Sequence, residues 1–346
     1  MKISNNILSV LVVTYIIFSL SSTMLDFKEN QIVTGKASSA QGIASFNLLP
    51  RAVASPTNLY AFLGSDHISI NLNWTDVTDA PSYTVYYSDN VTELKNMDTN
   101  SLSAGIFNVS GLTDSNWVDT NAEGIEKRFY RVAAVSESNK NLTDKIVGKY
   151  DIEIMSSTGV AGVMEGNVIS LPLISENNSI DYIVRYPSFD DRAIIYNISS
   201  DVWMLARYWG PAWGWWGAEF TDLNVNRGYW FTIVANNHNL TNVGDARTED
   251  LTVEIQQSTG VAGVMEGNVL GWNVPIKRCN FSQLLTDASY DDRVIIYNRT
   301  SHNWMLARYW GPAWGWWGAE FECFEPGRGY WFTIVGSSYN WTQEGI

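Results

Sequence analysis

The sequence predicts an all-β protein: a β-sandwich followed by two copies of a smaller β-rich domain, each carrying one short helix. Three observations lead there. Between residues 53 and 150, short runs alternate apolar and polar residues with period two, the mark of half-buried antiparallel strands. The passage Trp203 to Phe220 recurs unchanged at Trp304 to Phe321. Two further blocks keep the same offset: Thr158 to Val168 recurs at Thr259 to Val269, and Arg227 to Val234 recurs at Arg328 to Val335. Blocks matched in order at one long period mean a tandem duplication of a domain.

Residues 1–27 contain an uncharged, mostly apolar run from Ile7 to Leu25 behind Lys2. This fits a secretory signal peptide or an uncleaved membrane anchor. Residues 28–52 are rich in Ser, Ala and Gly and read as a flexible tether. Within it, Ile43 to Leu49 could add as a donor strand to a domain or to a neighbouring subunit.

Residues 53–150 hold Ile68 to Trp74, Ser82 to Ser88 and Lys127 to Val135, three alternating runs separated by turn residues. Several short strands at this spacing predict a sandwich. Pro56 with Leu59, Trp74 at the end of an early strand, Tyr83 and Tyr86 on the next, and the late FYRVAAV run together resemble a fibronectin type III domain. That resemblance implies an Ig-like fold in which Trp74 and Tyr130 are core packing residues.

Residues 151–247 and 248–346 are the Trp-rich repeats. Each reads as a β-prone start, a Gly-rich loop (with Glu165 or Glu266), a short helix, a strand (Arg192 to Asn197, Arg293 to Asn298), the Trp block and a closing strand. Helical character is clearest from Phe281 to Asp287. Asn167 to Pro172 (NVISLP) and Glu325 to Trp331 (EPGRGYW) resemble the opening and closing motifs of a small module of exported bacterial and archaeal surface proteins. The other ends depart from the pattern, as NVLGWNVP from Asn268 and as Asn224-Val225-Asn226.

A formal net charge of −14 with only 22 Lys and Arg argues against nucleic acid as a partner, since phosphate neutralisation needs clustered cations. It argues equally against anionic lipid surfaces, leaving the N-terminal segment, if uncleaved, as the one membrane contact. Asn-x-Ser/Thr occurs at Asn73, Asn90, Asn108, Asn141, Asn177, Asn197, Asn239, Asn280, Asn298 and Asn340. Such density predicts an exported glycoprotein, with Asn197 and Asn298 equivalent and exposed. The two cysteines, Cys279 and Cys323, lie in the second repeat, where the first has Asn178 and Asp222. Joint presence in one copy and joint absence from the other predicts a disulfide in an oxidising compartment.

The chemistry-bearing candidates are few. WGPAWGWWG places Trp209, Trp213, Trp215 and Trp216 among Gly and Pro, and the second copy places Trp310, Trp314, Trp316 and Trp317. These rings have three readings: core of a small domain, subunit interface, or platform for sugar rings. Adjacent Trp215 and Trp216 cannot both point inward on a strand, so one ring per copy is expected outside. The pairs Asp190-Asp191 and Asp291-Asp292, each followed by Arg, read as solvated turns with a local ion pair. Calcium is the one cofactor they leave open, and no other cofactor or metal is expected. His67, His238 and His302 are scattered, and no catalytic motif is present.

These features predict a non-enzymatic protein of the extracellular or cell-surface space, of archaeal type. It would self-associate as a subunit of a surface layer, sheath or filament. The alternative is an adhesin that binds cell-surface glycans through the Trp loops.

Overall fold

The computed structural model describes residues 53–346 except 138, 158–166, 198–199, 201, 259–267, 299–300 and 302. Before them it describes the backbone of Val33–Gly35 and Phe46–Leu48. These two segments pair antiparallel within a unit that ends at Ala52, so the strand expected near Ile43 to Leu49 is paired inside the segment read as a tether. The run Ile7 to Leu25 lies outside the described residues. Among the described residues no helix is long and apolar enough to cross a membrane.

The regular secondary structure of Val53–Ile346 is mostly β-strand. The sandwich forms as its alternating runs require. One sheet orders Tyr60–Leu63, Ile70–Asn73 and Asn116–Asp119; the facing sheet contains Phe107–Leu112, Ser82–Ser88 and Lys127–Val135. Trp74 and Tyr130 are buried between them, with Trp74 edge-on to Tyr83 at 5.4 Å. The Tyr130 hydroxyl donates to Asp119 at 2.9 Å, and Arg128 ties the same carboxylate at 3.0 Å.

The second sheet is covered on both faces, so its strands do not keep a strict in–out alternation. Tyr83, Val85, Tyr130 and Val132 face the sandwich core. Tyr86, Phe129 and Ala133 face a second, larger core, together with Val91 and Leu94 of the Val91–Lys95 helix. The strand Val147–Ile154 continues this sheet through residue 150. It pairs on one side with Lys127–Val135 and on the other with His238–Ala246, which in turn pairs with Leu173–Ile174. The first repeat is thus hydrogen-bonded into the sandwich sheet. Its counterpart in the second repeat, Leu251–Ile255 against Tyr339–Gln343, stands as a separate two-stranded sheet.

Each repeat has a four-stranded antiparallel sheet. The first orders Asn167–Ile169, Tyr229–Thr232, Arg192–Asn197 and Val202–Arg207; the second orders Asn268–Gly271, Gly329–Thr333, Arg293–Asn298 and Asn303–Arg308. The predicted helix is a single turn in each, Ile180–Ile183 and Phe281–Leu284, shorter than the run to Asp287 suggested.

The repeats face each other about a pseudo-two-fold. Ile169 bridges Arg328 while Leu270 bridges Arg227, the same contact with the copies exchanged. At the centre, a Cβ on Gly228 would lie 3.2 Å from the Cα of Gly329, and one on Gly329 would lie 3.1 Å from the Cα of Gly228. Only glycine lets the two backbones approach so closely. Trp230, Trp331 and Val269 close a small core across this contact. Self-complementary contact of this kind is the interface of a two-fold dimer, here within one chain.

The expected disulfide is present. Cys279 and Cys323 join the short strands Arg278–Cys279 and Cys323–Phe324, with Cα atoms 3.9 Å apart. At the same place the first repeat uses backbone alone, Leu223 N–H to Asn178 C=O at 2.8 Å.

Candidate functional site

The Trp blocks build the same knuckle twice. After Val202–Arg207, the Trp209 N–H donates to the Gly214 carbonyl at 2.8 Å, and Gly214 N–H to Gly210 at 2.8 Å. The second copy repeats both bonds at 2.8 Å, Trp310 to Gly315 and Gly315 to Gly311. Gly210, Gly214 and Gly217 have φ of 91°, 59° and 69°, and Gly311, Gly315 and Gly318 have 87°, 56° and 71°. A side chain at these left-handed positions would be strained, which is why the block interleaves Gly with Trp.

The chain reversal sorts the rings. Trp215 and Trp316 are 6% and 8% exposed; Trp213, Trp216, Trp314 and Trp317 are 65%, 66%, 66% and 67% exposed. Trp215 packs on Tyr208 and Trp316 on Tyr309, both at 5.5 Å. Outside, Trp213 and Trp216 meet edge-to-face at 5.8 Å, and Trp314 and Trp317 at 6.0 Å. The block is therefore divided: one ring of each copy belongs to the core and two lie in solvent.

Trp209 and Trp310 occupy a middle position, half covered by an arginine. The Arg207 guanidinium lies 4.0 Å over Trp209, and Arg308 lies 3.9 Å over Trp310. Asp190 holds Arg207 at 2.6 Å and also takes a two-pronged bond from Arg192; Asp291 repeats this with Arg308 and Arg293. Phe189 and Tyr290 stand edge-on to the same tryptophans at 6.1 and 6.3 Å. The expected Asp–Arg turn is there for the first Asp of each pair.

The second Asp differs from expectation. Asp191 and Asp292 are fully buried rather than solvated. Asp191 accepts from the Ser188 and Val234 N–H groups at 2.7 and 2.9 Å; Asp292 accepts from Ser289 and Val335 at 2.7 and 2.8 Å. Burial raises the Asp292 carboxyl above its ordinary value, and these N–H donors act against that. The carboxylates of the pairs are committed to arginine and to backbone, so they fasten the turn beneath each knuckle. Among the described residues no cluster of three or more His, Cys, Asp or Glu could hold a metal ion. Glu165 and Glu266 lie outside the described residues, as does His302.

Sequence reasoning missed the supporting shell of Phe189, Arg207 and their counterparts. The signal was present: Phe189 and Tyr290 are both aromatic at one repeat position, and Arg207 immediately precedes the block's Tyr-Trp.

The Asn-x-Ser/Thr sites are spread over the surface. Asn108, Asn177, Asn239, Asn280 and Asn340 are exposed, as is Asn90, which caps the Val91–Lys95 helix. Asn73 donates to the Tyr60 hydroxyl at 2.8 Å, and Asn141 donates to the Val53 carbonyl. Asn197 and Asn298 are equivalent, as expected, but half-buried, with their amides toward the sulfurs of Met204 and Met305 at 3.8 and 3.3 Å.

A polar cavity of about 1020 Å³ opens where the sandwich meets both repeats, lined among others by Lys149, Asp151, Arg185, His238 and Arg328. It is distinct from both knuckles.

No protein-family model matches the chain, and no curated protein matches it. Among solved structures it is similar to an Fn3-like protein from Clostridium thermocellum, at 28% identity and a TM-score of 0.21, covering 27% of this chain and 82% of that one.

Proposed function

We propose that this chain is a non-enzymatic extracellular structural protein, a subunit that polymerises into a surface layer, sheath or filament through its Trp knuckles. The observation that carries the reading is the paired display: two identical knuckles, each with two tryptophans about two-thirds exposed. Exposed apolar patches of this kind are uncommon on a monomer unless they bind something. The count of two matters. A chain with one self-complementary patch closes as a dimer, whereas a chain with two can continue to a third molecule and beyond. Trp is also among the residues enriched at the energetic centre of protein interfaces.

The test is the double variant Trp216→Ala with Trp317→Ala. The expected result is a folded monomer that no longer assembles, seen by electron microscopy and sedimentation. Normal assembly by the double variant sinks the reading.

A second reading is favoured by the openness of the rings. Trp213 and Trp216 form an angled aromatic pair in solvent, a surface suited to stacking against sugar rings. Loss of retention on a polysaccharide column, with assembly unchanged, would move the assignment to a carbohydrate-binding adhesin.

A further inference from the structure

Between the shared Val234/Val335 and the shared Gly244/Gly345, the two repeats have diverged almost completely. Ala235 to Val243 reads ANNHNLTNV and Gly336 to Glu344 reads GSSYNWTQE. The identical positions are Asn239 with Asn340 and Thr241 with Thr342, the two required residues of an N-glycosylation tripeptide.

The fold gives no reason for this retention. Asn239 pairs across the sheet with Glu153, and Asn340 with Glu254, through backbone that any residue supplies. Both side chains are exposed, and neither makes a hydrogen bond among the described residues. Asn is a poor strand former, so its place in an exposed strand calls for a cause beyond folding. The threonines have different surroundings. Thr241 is buried and donates to Asp151 at 2.6 Å, whereas Thr342 is exposed and meets the Thr252 hydroxyl at 3.3 Å. Where the fold does need a contact in this stretch, the contact persists while the residue changes: Asn237 accepts from Ser156 N–H at 2.7 Å, and Ser338 accepts from Gln257 N–H at 2.8 Å.

We infer that Asn239 and Asn340 are the chain's paired N-glycosylation sites, each taking a sugar on an exposed carboxamide, that of Asn239 where it lines the polar cavity. The other tripeptides compare poorly. Asn73, Asn90, Asn141, Asn197 and Asn298 have side chains engaged in the fold. Asn177 and Asn280 are exposed, but Arg278 and Ser179 stand at their equivalent positions. Asn108 belongs to the sandwich and has no counterpart. The bond formed is an N-glycosidic link from the Asn Nδ2 to the sugar's anomeric carbon. A lipid-linked oligosaccharide is the donor, its phosphate leaves, and the amide gives up one proton.

The inference rests on the extracellular reading, and one experiment separates the two. The full chain is exported from a host that N-glycosylates, and its peptides are analysed by mass spectrometry. Occupied Asn239 and Asn340 are expected, with Asn239→Gln and Asn340→Gln each lowering the intact mass by one glycan without moving the unfolding midpoint. Thr342→Ser should keep occupancy at Asn340 and Thr342→Ala abolish it. Bare Asn239 and Asn340 beside occupied sites elsewhere would overturn this inference alone. A chain bare at all ten positions would overturn it together with the glycoprotein reading.

Discussion

Ser170 and Gly271 occupy the same position in the two repeats and meet at the pseudo-two-fold, where a Cβ on Gly271 would lie 2.4 Å from the Cβ of Ser170. The space admits one side chain. The first copy fills it, and the Ser170 hydroxyl donates to the Arg328 carbonyl at 2.8 Å. The duplication therefore had to become asymmetric at its own axis. A symmetric dimer of the parent module would need a small residue in both copies, whereas the fused chain can assign the volume to one of them.

Gly271→Ala should accordingly destabilise the repeat pair, by about 1–3 kcal/mol as for other overpacked cores. Ser170→Gly in the same chain should recover part of that loss, although Asn273 and the Arg227 carbonyl also crowd the new methyl. Denaturant unfolding of the two single variants and the double measures the coupling. Strict additivity would show that the two positions do not compete.

The adjacent tryptophans should separate stability from association. Trp215→Ala removes a ring packed in the large core and is expected to cost about 3–5 kcal/mol. Trp216→Ala removes a neighbour in solvent and should stay within about 0.5 kcal/mol. Equal losses at the two sites would mean that the outer ring is also structural.

Local pattern was legible because it is set by local physics. Ser82–Ser88, Lys127–Val135, Arg192–Asn197 and Arg293–Asn298 form strands over the predicted residues. One of Trp215 and Trp216 lies outside, as expected of a strand, but the stretch is a turn, and it exposes Trp213 as well. What stayed hidden was long-range. The pairing of Val147–Ile154 with His238–Ala246 joins segments some ninety residues apart, and alternation along a strand does not name its partner. Within the stretch where the repeats diverge, Leu173–Ile174 pairs with His238–Ala246 in the first, while Trp272 packs on Phe324 and Trp341 in the second. The buried Asp191 and Asp292 were hidden for a related reason, since their backbone donors Val234 and Val335 lie far along the chain.

The disulfide should matter to one repeat only. Cys323→Ser opens a loop of 44 residues in sequence separation, for which chain entropy assigns roughly 4 kcal/mol. The expected result is a lower unfolding midpoint under oxidising conditions and no further change on adding reductant. Because Cys279 is exposed, reductant should bring the wild type close to the variant. A wild type unaffected by complete reduction would show that the surrounding aromatic packing, Phe281 on Phe324 at 4.7 Å, suffices without the bond.

Alkaline stability should be limited by buried phenols. Burial pushes Tyr150 and Tyr229 up to about 12, with Glu126 adding to the effect at Tyr150 and the Asn224 N–H opposing it at Tyr229. Both folded values lie above the unfolded value of about 10, so folding favours the neutral ring. The stability this supplies is fully present below pH about 10 and is lost as pH rises through about 12. Phenolate absorbance followed beside unfolding should show part of the tyrosines ionising only as the chain unfolds. Tyr229→Phe deletes an acceptor for the Asn224 N–H, so it should cost about 1 kcal/mol at neutral pH. It also deletes a phenol that destabilises the fold once ionised, so its deficit against the wild type should shrink above pH about 10. A deficit that is constant across that range would show that Tyr229 does not contribute to alkaline unfolding.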